Sequence, residues 1–301
     1  MNQNLEMLKK IEIIFEVKEC FLTDEIKQKI EDTELIKRAE KNAEKLNVYK
    51  MIYISQGHKV VGYIVEPKGN EKIPCIIYNR GGSNEFGAIK IGQLFLDKSR
   101  FALNGYISIF TQYSGNSGSE GKDEFGGSDI EDVLNLYKIL NMYPRADIKK
   151  VGMYGASRGG LMTYLSLSKV KWLRAAVASC APSNEVEASR FRKGWEEHQK
   201  KMFGGSMKEK IKRSAVYWAD KFCKKTPLLI MHGTADWRVN PLDSIKLAEK
   251  LYQNKIPFKL IIFEGADHIF TECKTEEIKQ TLDWFDRFLK NDEKLPNLKP
   301  H

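Results

Sequence analysis

Short apolar runs with a two-residue rhythm alternate along this chain with longer stretches whose apolar positions recur every three to four residues. VYKMIYIS (48–55) and KVVGYIVEP (59–67), separated by QGH, predict a β-hairpin, and KIPCIIYN (72–79) predicts a buried strand ending in a Gly-Gly turn. A helix near 88–103 follows, then a strand YISIFTQ (106–112), a glycine-rich loop from Ser114 to Gly127 and a helix SDIEDVLNLYKILN (128–141). The alternation continues with KKVGMYG (149–155), a helix from about Arg158 and the strand LRAAVASC (173–180). After an interruption it resumes with PLLIMHG (227–233), a helix starting near Pro241, FKLIIFEG (258–265) and a final helix near 275–290. Strands and helices taking turns over such a length predict an α/β fold: a mainly parallel sheet with helices on both faces and the first hairpin as its antiparallel N-terminal edge.

Two segments stand outside this rhythm. Residues 1–46 read as mostly helical: TELIKRAEKNAEKL sets Leu35, Ala39, Ala43 and Leu46 near one stripe, with Thr33 as N-cap. Residues 183–225 contain two helix-like stretches flanking Gly204 and Gly205, rich in charge yet carrying Phe191, Trp195, Met202, Phe203, Tyr217, Trp218 and Phe222. They read as a helical cap inserted into the sheet domain. The expected organisation is therefore an N-terminal helical segment, 1–46, and one domain, 47–301, with a cap at about 183–225. No internal repeat of the length used by solenoids or propellers is visible.

Composition narrows the classes. With 301 residues, 42% of them hydrophobic, the chain can bury a full core. Five cysteines, odd in number and scattered, argue against a disulfide framework or a zinc site. The first 20 residues mix charges throughout, unlike a secretory leader, and no apolar run approaches the roughly 20 residues that span a bilayer. A cytoplasmic protein without a membrane partner is expected. The net charge is +9, and Glu185 to Lys225 holds 12 Lys/Arg against 6 Asp/Glu. That surplus reads either as a solvated lysine-rich face or as an attractor of acidic substrates. No nucleic-acid reader motif accompanies it.

The chemistry centres on Gly155-Ala156-Ser157-Arg158-Gly159. Alone, G-x-S-x-G arises by accident in a chain of this length about one time in ten. Here it lies between a predicted strand and a predicted helix, where a nucleophile elbow needs it, and small flanking residues let the two elements approach. A serine hydroxyl needs a base within hydrogen-bond reach and an acid to orient that base. LLIMHGTAD sets Asp236 three residues beyond Gly233, and LIIFEGADH sets His268 three beyond Gly265. The order Ser157, Asp236, His268 is that of α/β-hydrolases. His58, His198 and His301 read as surface histidines and His232 as a structural neighbour of the site. Asp267 should point away from it, and Asp243 should sit in the first turn of a helix. Oxyanion donors are expected from the backbone N–H of Arg158 and from the loop YNRGGSN, with Arg80, Gly81 and Gly82.

GASRGG, MHGTADWRVNP and EGADH together resemble the prolyl oligopeptidase family of serine peptidases in its α/β-hydrolase catalytic domain. The resemblance runs from about Val48 to Lys290. It implies Ser157 as nucleophile, Asp236 as orienting acid and His268 as general base and acid. It further implies acyl transfer to water with neither metal nor organic cofactor. The chain departs from the family in having about 46 helix-like residues where many members carry a β-propeller. It has Arg80 where many have a tyrosine or histidine beside the oxyanion, and Ser114 where arginine is common.

The expected activity is a serine hydrolase that cleaves short peptides or acylated amino acids. A carboxylesterase or thioesterase on small esters would use the same triad, and a binding protein that has lost turnover would keep the fold. Cap aromatics such as Phe191, Trp195 and Trp218 would either line an apolar acyl pocket or pack the cap onto the sheet. The partner is a small molecule or short peptide, and the sequence leaves a homo-oligomer open.

Overall fold

The computed structural model describes residues 2–298. The chain packs as two units, one formed by residues up to Tyr78, Ser83–Asp123 and Glu131–Lys149, the other by Asn79–Gly82, Glu124–Ile130 and the residues from Lys150 onward.

The first unit contains α1 (Gln3–Leu8), β1 (Ile14–Glu19), α2 (Thr33–Ala43), β2 (Leu46–Ser55), β3 (His58–Pro67), β4 (Ile73–Asn79), β5 (Ile107–Thr111), nearly all of α3 (Ile130–Met142) and the start of β6 (Ala146–Ala156). In the second unit lie the rest of β6, α4 (Arg158–Lys169), β7 (Ala175–Ser179), α5 (Trp195–Phe203), α6 (Met207–Lys212), β8 (Leu228–Gly233), α7 (Pro241–Gln253), β9 (Phe258–Phe263) and α8 (Lys274–Phe285). Among the described residues nine strands form one mixed sheet in the order β1-β2-β3-β5-β4-β6-β7-β8-β9. β1, β2 and β3 pair antiparallel, as do β3 and β5, whereas β6 through β9 pair parallel. Every residue of β7 and β8 is buried, as strands covered on both faces require. This is the expected α/β-hydrolase architecture.

Three local expectations are corrected. Residues 1–46 are not mostly helical, because Ile14–Glu19 is the outermost strand of the antiparallel edge. Its pairing slips between Ile14 and Glu16, so Phe15 and Glu16 both face solvent while Ile14 and Val17 are buried. A bulge of this kind erases the two-residue rhythm that marks a strand. The cap of α2 is Asp32, whose carboxylate accepts from the amides of Glu34 and Leu35, and Thr33 is the first helical residue. The helix expected near 88–103 is broken into Ile91–Leu94, a 3-10 turn Asp97–Ser99 and Arg100–Leu103, since Leu96 (ψ −108°) leaves helical geometry. Burial of Ile89, Leu94, Phe95 and Phe101 fixes that path, and a single helical face could not present them all.

A buried ionic cluster organises the first unit. Glu66 on β3 receives Arg145 Nη1 at 2.8 Å, the Tyr143 hydroxyl at 2.9 Å and Asn4 Nδ2 at 2.8 Å. It thereby ties α1 to the sheet and to the segment after α3. Burial pushes the Glu66 carboxyl up, and the Arg145 charge and hydrogen bonds oppose that shift. Removing one partner would strand a buried charge. Arg145→Met should therefore destabilise the protein by about 3–5 kcal/mol, measured as a lowered urea midpoint.

Candidate active site

β6 ends at Ala156 and α4 begins at Arg158, leaving Ser157 alone at the turn with φ 55° and ψ −127°. L-residues seldom adopt such a backbone, and here close packing imposes it. A side chain at Gly155 would overlap the carbonyl of Gly159, one at Gly159 would overlap the carbonyl of Asn79, and one at Gly160 would meet the Ala181 side chain. The Ser157 amide donates to the carbonyl of Ser179 at 2.8 Å, anchoring the turn to the end of β7. The serine is half-buried.

Asp236 sits in the turn after β8 and is 2% exposed. Its Oδ1 accepts from the amides of Arg238 at 2.8 Å and Val239 at 3.0 Å. Oδ2 meets His268 Nδ1 at 2.7 Å and His232 Nε2 at 3.1 Å. Burial alone would raise its pKa, but the hydrogen bonds from His232 and His268, the charge of His268 and the Val239 amide outweigh it. The carboxyl is held well below the usual carboxylate range. An ionised carboxylate only accepts, so His268 carries its proton on Nδ1 and turns the Nε2 lone pair outward. That nitrogen lies 3.0 Å from Ser157 Oγ.

The structure thus brings Ser157, His268 and Asp236 into one hydrogen-bonded chain. Of the expected oxyanion group, Gly81 lies against the elbow: a Cβ there would come within 3.1 Å of the Ala156 carbonyl and 3.5 Å of Ser157 Cβ. The Arg80 side chain is buried and donates from Nη1 to the Gly81 carbonyl at 3.1 Å. Arg158 opens α4, and its side chain is buried as well.

The remaining candidates fall elsewhere. Asp267 turns to its own loop, accepting from the amides of Ile269 and Thr271 and from the Thr271 hydroxyl at 2.7 Å. Asp243 occupies the first turn of α7, where burial pushes its carboxyl up. His58 is the exposed first residue of β3. His301 lies outside the described residues. His198 is a correction, since it is half-buried and stacked on Trp195 with centroids 4.4 Å apart, edge-on to Phe125 at 5.7 Å. In the cap, Trp218 and Phe222 are buried, with Phe222 stacked on Tyr164 of α4 at 6.0 Å. Trp218 therefore packs the cap onto the core, whereas Phe191 remains 40% exposed.

His232 is the structural neighbour expected from the sequence, and it meets Asp236 directly. Its Nδ1 is 2.7 Å from Ser244 Oγ on α7, so its Nε2 is fixed toward Asp236 Oδ2 and the Val239 carbonyl. The signal was its position at the end of β8, four residues before the aspartate. Cys180 Sγ, His232 and Asp236 also offer atoms within 4.8 Å of one another, a grouping that could hold a metal ion. Burial pushes the Cys180 thiol up, away from the thiolate a metal needs, and the Asp236 oxygens are already engaged by histidines and amides. Among the described residues no helix is long and apolar enough to cross a membrane.

Comparison with known proteins places the chain among peptidases by similarity. The uncharacterized peptidase YtmA of Bacillus subtilis is 26% identical over 245 residues, which cover 79% of this chain and 93% of the relative. Dipeptidyl-peptidase 5 of Porphyromonas gingivalis is 23% identical over 258 residues, 78% of this chain and only 37% of that protein. The acylaminoacyl peptidase of Pyrococcus horikoshii shares the fold, with a TM-score of 0.73 at 21% identity over 84% of this chain and 43% of the other. Residues 95–292, more than half of the sequence, match the prolyl oligopeptidase family, and the chain belongs to that family.

Proposed function

We propose that this protein is a serine hydrolase that cleaves short peptides or acylated amino acids through an acyl-enzyme, with Ser157 as nucleophile, His268 as general base and acid, and Asp236 as the orienting acid. The observation that carries this reading is the unbroken chain of hydrogen bonds from Ser157 Oγ through His268 to Asp236 Oδ2. Membership of a serine peptidase family and relatives named peptidases support the substrate class.

In the first half-reaction, Ser157 Oγ attacks the scissile carbonyl carbon while its proton passes to His268 Nε2. The carbonyl π pair moves onto oxygen. That oxyanion is received by the backbone N–H of Arg158 and by the loop Arg80-Gly81. The tetrahedral adduct collapses as His268 returns its proton to the leaving amine, giving the acyl-enzyme. Water then attacks the acyl carbon while one of its protons passes to His268 Nε2, and the second adduct collapses as its bond to Ser157 Oγ breaks and His268 returns that proton to the serine, releasing the carboxylic acid. Asp236 stays ionised throughout and stabilises the imidazolium that forms twice per turnover.

One observation favours an ester-cleaving reading with the same residues. Trp237 and Ile269, next in sequence to Asp236 and His268, are each 62% exposed and offer apolar surface to an acyl chain. Rates on p-nitrophenyl esters and aminoacyl p-nitroanilides, measured side by side, decide between the two. The peptidase reading expects turnover of both substrate types, and ester turnover without detectable anilide cleavage would reverse the order.

Ser157→Ala should fold normally, lose labelling by a fluorophosphonate and drop kcat by about 10⁴-fold or more, with His268→Ala close behind. Wild-type protein that folds yet neither labels nor turns over any of these substrates would remove the hydrolase reading.

Acid titration tests Asp236 separately. A folded pKa below the unfolded one means that the carboxylate's contribution to stability is complete above about pH 4 and shrinks as the pH falls through and below that value. In urea titrations between pH 5 and pH 2, wild type should therefore lose stability more steeply than Asp236→Asn.

A further inference from the structure

The residue after the nucleophile contributes its backbone to the proposed oxyanion site whatever its side chain, so an arginine there is not demanded by the motif. Nevertheless the Arg158 side chain is 1% exposed and paired with a fully buried Asp129. Its guanidinium forks: Nη2 meets Asp129 Oδ2 at 2.6 Å, and Nη1 donates to the Gly82 carbonyl at 3.1 Å. Asp129 accepts in turn from the Gly126 amide at 3.0 Å through Oδ1. The Phe125 ring lies 5.1 Å from the guanidinium carbon. From the end of α6, Arg213 donates to the carbonyls of Phe125 at 2.9 Å and Glu124 at 2.8 Å, holding the same loop from the cap side.

One side chain therefore joins the first turn of α4, the loop 80–82 and the loop 124–130. A buried ion pair is a poor source of stability, because desolvation of both charges offsets most of their attraction; what a forked, hydrogen-bonded pair supplies is a fixed geometry. The geometry fixed here is that of the oxyanion loop. Gly81 packs against the Ala156 carbonyl and Ser157 Cβ, and Gly82, the next residue, is the one whose carbonyl Arg158 holds.

We propose that Arg158 is a positioning residue for acyl transfer: its guanidinium holds the Gly81-Gly82 loop against the first turn of α4, so that backbone donors from both segments converge on one oxyanion. The inference rests on the acyl-transfer reading above. It assigns the side chain a role distinct from that of its own amide.

Arg158→Lys keeps the charge opposite Asp129 but loses the fork, since an ammonium is a point charge with no planar second arm. With active sites titrated by a fluorophosphonate, kcat per site on an aminoacyl anilide or ester should fall about 10- to 100-fold in Arg158→Lys, with KM within about twofold of wild type. Affinity for a peptide boronic acid, whose tetrahedral adduct places an oxygen in the same site, should weaken by the same factor. Asp129→Asn should move kcat and boronate affinity in the same direction, and it carries the test if Arg158→Lys folds poorly. A lowered melting midpoint with kcat per titrated site and boronate affinity unchanged would make the pair merely structural and overturn the proposal. Wild-type protein with no labelling and no turnover would instead overturn the acyl-transfer reading.

Discussion

The backbone of Ser157 is the constraint from which the site follows. With a positive φ it hands β6 over to α4 while their backbones nearly touch, and at glycines 155, 159 and 160 carbonyls or a side chain occupy the space a Cβ would need. A strained residue of this kind costs on the order of 1–3 kcal/mol and persists when its surroundings over-determine it. Here the surroundings are the Ser179 carbonyl, the Asn79 carbonyl and the first turn of α4. The same crowding that sets the strain brings the ends of β4, β6 and β7 together at the hydroxyl.

A second constraint acts at Asp236. A carboxylate with so little contact with solvent is stable only if its lone pairs are taken, and four donors take them: two amides of the following turn and two histidines. Because both imidazoles share Oδ2, His232 restricts where that oxygen can move, and Ser244 restricts His232 in turn. The position of the oxygen that His268 meets is thereby fixed in part from α7, through Ser244 and His232. Precision at the atoms proposed to react is built up from partners outside Ser157, His268 and Asp236.

Much of this was legible in the sequence. Alternating periods gave the parallel half of the sheet, and glycines at the ends of apolar runs located the turns that carry Ser157 and Asp236. What stayed hidden had physical reasons. β1 was lost because a bulge at Phe15 breaks the alternation over a strand of only six residues. The contact of His232 with Asp236 was visible as a spacing, but its direction depends on Ser244, whose place on α7 no local pattern announces. The Arg158–Asp129 pair was invisible, since Asp129 lies 29 residues upstream, at the start of a helical pattern that accounts for an acidic residue there without any distant partner. Buried ionic partners leave no mark on a hydrophobic pattern, which records where apolar area goes and is silent about charges that go with it.

The basic surplus of the cap shows how charge counts mislead without geometry. Lys200, Lys212 and Arg190 each face a carboxylate three or four residues away on the same turn, at Glu196, Glu209 and Glu187. Arg213 is spent on backbone carbonyls and Glu209, and Arg192 rests on the Trp195 ring at 4.5 Å. Lys210 is buried, and Lys193, Lys201, Lys208, Lys221, Lys224 and Lys225 are left on exposed positions. At physiological ionic strength, fields from such exposed charges fade within roughly 8 Å. The surplus therefore acts as a solvated face along most of the cap, with single arginines whose guanidinium groups organise carbonyls and rings. A count of twelve cations against six anions resolves into a few that hold carbonyls and rings and many that stand in solvent.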